Sequence, residues 1–211
     1  MKKAMQIEVV HPADRWAFSR PLMEMHHHRK QVFVDRLDWQ LASRGSWLEI
    51  DQFDDEYAVY IMAVAHETKR HLGSVRLLPT TRPHMLSTLF ADLCPEGAPT
   101  GESVWEISRF VAAPEGGAGT NILRVHRRLA WGLVDFARRN GIERYTLVAE
   151  AQRVPALLSV GWTVAPLSLP TLHDGQLIEA MQIVIDAESI ARMERRQADA
   201  IEHNEPMRSA A

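Results

Sequence analysis

Three short segments of the chain hold side chains suited to acid–base or charge-pairing chemistry. Asp51 and Asp54 lie three residues apart in the acidic run EIDQFDDE. Paired carboxylates can hold a cationic substrate, shift a proton-transfer pKa or bind a hard metal, and an acidic loop can equally be a solvated surface. Arg76 stands inside the apolar run LGSVRLL. A charge flanked by Val75 and Leu77 must reach water at a sheet edge or find a carboxylate, because a buried unpaired charge is very costly. Glu106, Ser108 and Arg109 form the third group, within SVWEISRFVAA. In a regular strand Glu106 and Ser108 share a face and Arg109 points the other way. A bulge would bring Arg109 round to them, and bulges re-aim side chains at active sites. The alternative is an ordinary exposed Glu and Arg.

Other candidates carry less. His26, His27 and His28 are consecutive, so on a helix they diverge and do not suit a single ion; no metal site is expected. Cys94 sits in a proline-flanked loop without a partner base and reads as a passive thiol. The loop PEGGAGT offers backbone N–H groups to a phosphate, but no Gly-Lys-Ser/Thr follows it.

The elements that must position these residues follow from pattern. Residues 5–10 read as a first strand. Asp14 can cap a helix reaching about residue 34, which Pro21 should kink or split. Residues 35–56 read as loop with a little helix. Strands at 57–66 and 72–78, joined by the polar turn ETKRH, make a hairpin. A short helix at 85–93, a loop and a strand at 103–113 come next. The best helix runs from 121 to 140, capped by Thr120 and stopped at Asn140-Gly141. A strand at 144–150, a short helix at 153–160 and a strand at 178–185 complete the body. Strands alternating with helices, plus one hairpin, predict a three-layer α/β/α sandwich on a mixed sheet. One domain over residues 1–187 is expected, then a charged helix and tail over 188–211.

Composition bounds the function classes. The 211 residues are 46% hydrophobic and 24% charged, which suits a globular chain with a real core. A net charge of −3 argues against binding nucleic acid through bulk positive charge. A single cysteine excludes an internal disulfide framework and any multi-cysteine zinc site. No apolar run of about twenty residues is present to span a membrane. The N-terminus reads as a strand rather than a signal peptide, so a cytoplasmic location is expected. Acids gather around Asp51 and Asp54, while arginines gather on the helix at 121–140.

In order along the chain stand Arg29, Phe33 and Trp39; EIDQFD with Asp51 and Asp54; RLLPTT from Arg76; and WEISRF with Glu106 and Arg109. This ordered set, spanning about residues 5–185, resembles the acyl-homoserine-lactone synthases, the bacterial autoinducer synthases of quorum sensing. The resemblance implies a fold similar to the GCN5-related N-acetyltransferases. It implies two substrates: S-adenosylmethionine, used for its aminoalkyl group, and a fatty acyl thioester on acyl carrier protein or coenzyme A. No separate cofactor is implied. The rival expectations are another amine acyltransferase on the same fold, or a non-catalytic ligand-binding domain.

The implied reaction is acylation of the methionine amine, then lactone closure that expels 5′-methylthioadenosine. Glu106, or Asp54 through a water, is the expected general base. Backbone N–H groups at a bulge in the 103–113 strand are expected to hold the oxyanion. Trp39 can stack on adenine or meet the sulfonium. Asp51 and Asp54 suit the cationic substrate, and Arg29, Arg76 and Arg109 can bind its carboxylate or brace the acids. Phe33 fits as packing for a closing N-terminal helix. Thr146 matches a position where a family threonine accompanies a 3-oxo acyl chain; the plainer reading is a strand threonine. Met85, Leu86, Phe90, Leu147 and Trp162 line an acyl pocket or are core. Arg124, Arg127 and Arg128 face an acidic carrier protein, a phosphate or solvent. The loop at 114–120 lacks the arginine-led phosphate motif of the acetyltransferases.

Overall fold

The computed structural model describes residues 5–114 and 122–202. Among them eight strands form one mixed sheet: β1 Met5–Val10, β2 Val59–Ala65, β3 His71–Pro79, β4 Val104–Ala112, β5 Arg144–Glu150, β6 Thr163–Pro166, β7 Thr171–His173 and β8 Gln176–Val184. The order across the sheet is β1-β2-β3-β4-β5-β8-β6, with β7 paired to β8. Strands β1 to β4 are antiparallel, and β4 and β5 are parallel. The parallel step requires a crossover, which helix α3, Ile122–Asn140, supplies.

Helices lie on both faces. Against one face α3 buries Val125, Leu129, Leu133 and Phe136 on Ile61, Val75, Leu77 and Ile107. The contact is close because of Gly132: a Cβ there would lie 2.8 Å from Ile61 and 3.0 Å from Ile7. Helix α5, Ala187–Glu202, adds Met193 to the same core. The opposite face carries α1, Ser19–Arg29, and α2, Met85–Thr88, over Val10, Tyr60, Met62, Val64 and Leu78. This is the expected α/β/α layering on a mixed sheet.

Local expectations are adjusted at several places. The N-terminal helical region starts at Pro12 rather than at an Asp14 cap, first as a 3-10 turn over Pro12–Phe18. Pro21 is the third residue of α1, where its missing N–H costs no intrahelical bond, and the helical region is split just before it, between the 3-10 turn and α1, as expected. A π-helical turn, Lys30–Arg36, carries the helix on to Phe33. The helix expected at 85–93 breaks into α2 and a 3-10 turn, Ala91–Leu93. The short strands β6 and β7 fall where the sequence shows no clear alternation. A short helix α4, Val154–Ser159, lies between β5 and β6. The PEGGAGT loop beyond Pro114 and the Thr120 cap lie outside the described residues.

Candidate active site

Two features of the sheet create the site. The first is a bulge in β4. Arg76 pairs with Ser108 and Ser74 with Val111, so β4 spends one residue more than β3 between these pairs. Arg109 takes a left-handed φ of 51° there. The bulge breaks strict alternation. Trp105, Ile107, Phe110 and Ala112 face the α3 core, while Glu106, Arg109 and Val111 point toward α1 and α2. A left-handed non-glycine residue is costly, and the ion pairs Arg109 makes hold it there. The second feature is a parting of strands. β4 and β5 pair only from Val104 with Arg144 to Glu106 with Thr146, yet both continue beyond. The strands therefore part next to Glu106, and the gap between them is the candidate substrate cleft.

On the near bank lies a buried network of three arginines and three carboxylates. Arg29 grips Asp54 with two parallel bonds of 2.8 and 2.9 Å and also pairs with Glu49. Arg76 reaches Asp51 at 2.5 Å and Asp54 at 3.0 Å, and its Nε donates to Ser108 Oγ at 3.0 Å. Arg109 donates to Glu49 at 3.1 Å and Asp51 at 2.6 Å. Tyr60 donates its hydroxyl to Asp54 at 2.8 Å, and the Asp51 amide donates to the same carboxylate at 2.9 Å. Arg29 and Glu49 are fully buried, while the Asp51 side chain keeps 21% exposure. The arrangement is formally neutral, as burial of six charges demands. Arg76 sits in β3, a central strand, so its edge-strand reading does not hold.

The network decides which carboxylates can take a proton. Burial pushes Asp54 up, but Arg29 and Arg76 outweigh it and hold the carboxyl far below its usual range. Its oxygens are already filled by Arg29, Arg76, Tyr60 and the Asp51 amide. Asp54, expected as a base acting through a water, thus stands in the structure as an ion-pair partner of Arg29 and Arg76. Asp51 is lowered in the same way, with burial opposed by Arg76 and Arg109. Both aspartates are paired with arginines in this structure.

Glu106 behaves differently. Its two oxygens accept the N–H groups of Met85 and Leu86, each at 2.8 Å, at the start of α2. Burial raises its carboxyl above the ordinary value, against the opposing pull of His84 and those two amides. A buried carboxylate with raised proton affinity is a better proton acceptor than its neighbours. Met85 ties it to the network, since its Sδ lies 3.3 Å from Arg76 Nη2.

The aromatic candidates close the arrangement. Phe33 and Trp39 stack at 4.7 Å, and the Arg109 guanidinium lies 5.6 Å from the Phe33 ring. Trp39 Nε1 donates to Glu150 Oε1 at 3.3 Å, so the N-terminal segment reaches across to the end of β5. Thr146 is fully buried beside Glu106 in register, and its Oγ1 has no partner among the described residues. Arg124, Arg127 and Arg128 lie exposed on α3, apart from the network. Leu86 and Phe90 pack near Thr146's neighbour Val148, whereas Leu147 and Trp162 belong to the α3 core and do not face the cleft.

Sequence reasoning passed over Glu49, Tyr60, His84, Glu150 and Gln182. For Glu49 a signal existed: it stands two residues before Asp51, on the same side of an extended segment. His84 is fully buried, with Nδ1 donating to the Arg82 carbonyl at 2.8 Å and Nε2 unpartnered among the described residues.

Known proteins resemble this chain in sequence and fold. The family model described as autoinducer synthase matches residues 17–198. An acyl-homoserine-lactone synthase of Ralstonia solanacearum is 36% identical over 172 residues, covering 79% of this chain and 83% of the relative. The solved structure of a CoA-dependent acyl-homoserine lactone synthase, BjaI, with SAM and isopentyl-CoA superposes with a TM-score of 0.82. It is 26% identical and covers 92% of this chain and 90% of that one. An acyl-CoA N-acyltransferase from Pseudomonas aeruginosa shares the fold alone, at 18% identity and a TM-score of 0.56, over 85% of this chain and 99% of that one.

Proposed function

Since the chain belongs to the autoinducer-synthase family, we propose that the cleft beside Glu106 is where it makes N-acyl-L-homoserine lactone from S-adenosylmethionine and an acyl thioester, releasing 5′-methylthioadenosine. The chain is an acyl-homoserine-lactone synthase, an acyltransferase on a fold like that of the GCN5-related N-acetyltransferases. The observation that carries the mechanism is Glu106. It is buried, raised in proton affinity, and placed where β4 and β5 part.

The S-adenosylmethionine ammonium must lose a proton before it can attack, and Glu106 accepts it. The amine lone pair then forms a C–N bond to the thioester carbonyl. Backbone N–H groups at the β4 bulge stabilise the oxyanion, and the C–S bond breaks as the thiol leaves. In the second step the substrate's carboxylate attacks the carbon next to the sulfonium, and methylthioadenosine departs. The positive sulfur is already a good leaving group, so the enzyme's task is to fold the substrate. The stacked Phe33 and Trp39 offer that substrate an aromatic wall. Arg29, Arg76 and Arg109 brace the acids from behind.

Coenzyme A is the favoured carrier of the acyl group, because solved relatives are CoA-dependent. The exposed Arg124, Arg127 and Arg128 of α3 are the surface on which an acidic carrier protein would dock instead. S-adenosylmethionine enters as substrate, and no further cofactor takes part. No helix of the described residues is long and apolar enough to cross a membrane, and the cytoplasm, where both substrates are made, is the expected compartment.

Mass spectrometry of extracts from cells expressing the protein tests this reading. An N-acyl-homoserine lactone absent from control cells is expected. Its absence, with the protein folded and a range of acyl donors supplied, would sink the assignment.

A further inference from the structure

One row of side chains crosses three strands next to the cleft. Glu106 on β4 pairs in register with Thr146 on β5, and Thr146 pairs with Gln182 on β8. All three point to the face away from α3. Their strand neighbours on that face, Val148 and Ala180, join an apolar cluster with Leu86, Leu93 and Ile178. The alternating residues Tyr145, Leu147, Met181 and Ile183 turn to the α3 core.

The row is polar in an apolar setting, and it is not satisfied. Thr146 is fully buried, and neither its Oγ1 nor Gln182 Oε1 has a hydrogen-bond partner among the described residues. Each orphaned buried group costs stability that Val or Leu at the same position would not. Two such groups directly opposite on an antiparallel pair converge on one space, their Cβ atoms being about 5 Å apart. Glu106, beside which the acyl-transfer reading puts the reacting groups, is one strand spacing of about 4.8 Å from Thr146. That distance is bridged by two carbons of an acyl chain and a hydrogen bond.

We propose that Gln182 is a specificity-determining residue of the acyl pocket, which together with Thr146 holds an oxygen on the third carbon of the acyl chain. This rests on the acyl-transfer reading above and adds to it a second residue, on a different strand from Thr146. Thr146 donates its hydroxyl proton to that oxygen. Gln182 can present its carbonyl to a 3-hydroxyl or its amide N–H to a 3-oxo group. A chain without that oxygen leaves both groups unpaired, and a site built to bond an oxygen rejects the analogue lacking it. The apolar cluster beyond the row receives the rest of the chain.

The test uses the purified full chain, saturating S-adenosylmethionine and three acyl-CoA donors of equal length: unsubstituted, 3-hydroxy and 3-oxo. The readout is each donor's kcat/KM relative to the unsubstituted one, in the wild type, Gln182→Leu, Thr146→Val and the double variant. The wild type is expected to favour one oxygenated donor by about 10-fold or more. Gln182→Leu is expected to erase most of that preference, and the double variant to lose little beyond either single one, since both act on one oxygen. Loss confined to the 3-hydroxy arm identifies the Gln182 carbonyl as the partner; loss confined to the 3-oxo arm identifies its amide. If Gln182→Leu does not fold, Gln182→Met carries the same comparison. A preference unchanged by the Gln182 substitution would overturn the assignment and leave the row to a buried water. Failure of the wild type to make lactone from any donor would overturn both the function and this proposal.

Discussion

The ion network around Arg29 and the polar row from Glu106 to Gln182 lie on the same face of one sheet, and they are satisfied to opposite degrees. In the network each charge has found its counter-charge. Asp54 alone accepts from Arg29, Tyr60 and a backbone amide, and its carboxyl is driven far down. In the row, burial drives Glu106 up, and Thr146 and Gln182 each leave an oxygen unpaired. Saturated charge suits a scaffold, because it leaves nothing for a substrate to engage. Unsatisfied polarity suits a site, because a substrate can complete it.

The comparison breaks most visibly at Glu49 and Asp54. Replacing either with Ala leaves three buried arginines facing two carboxylates, so that one buried charge is uncompensated, and a loss of about 3–5 kcal/mol is expected. For a chain of this length that lowers Tm by roughly 6–20 °C, which thermal unfolding would read. A change of less than a degree or two would mean that the network is not load for the fold. Arg109→Lys keeps the charge and the left-handed backbone but loses the planar donors shared by Glu49 and Asp51, and about 1–3 kcal/mol should go.

The pH dependence sharpens the contrast by its sign. Asp54 is depressed, so its contribution is present above about pH 4 and is lost as pH falls from there. Glu106 is raised above 4.5, so its contribution is greatest below that pH and declines as pH rises through its folded value. Urea denaturation across pH 3 to 8 should show the acid-side loss flattened in Asp54→Asn, and the decline on the alkaline side of 4.5 flattened in Glu106→Gln. The same slope in both variants would contradict the assignment. The smallest effect belongs to Trp39→Phe. It keeps the stack on Phe33 and gives up the 3.3 Å bond to Glu150, for about 1 kcal/mol.

The sequence shows much of this and misses the rest for physical reasons. The long amphipathic helix is strongly periodic, the hairpin is two apolar runs about a polar turn, and both stand where expected. Arg76 announces itself as a charge inside an apolar strand. The fate of Arg109 hangs on one inserted residue, whose left-handed φ nothing in the string RFVAA marks. That Asp54 is paired with arginine while Glu106 is held by backbone amides follows from who reaches them: Arg29 comes from a helix 25 residues away, and the Met85 and Leu86 amides from a one-turn helix. Thr146 and Gln182 are 36 residues apart and meet only through the β5–β8 register. A glutamine between Met181 and Ile183 was nonetheless a readable anomaly, of the same kind as Arg76.

The central claim is that Glu106, and not the aspartates, takes the proton that starts the reaction. Purified wild type and Glu106→Gln, each given S-adenosylmethionine and the preferred acyl thioester, test it by the parallel appearance of methylthioadenosine and N-acyl-homoserine lactone. The wild type should release the two in equal amounts. The variant, still folded and still binding S-adenosylmethionine, should be slower by about 10²- to 10⁴-fold for both products. Turnover by the variant within a few-fold of wild type would contradict the account.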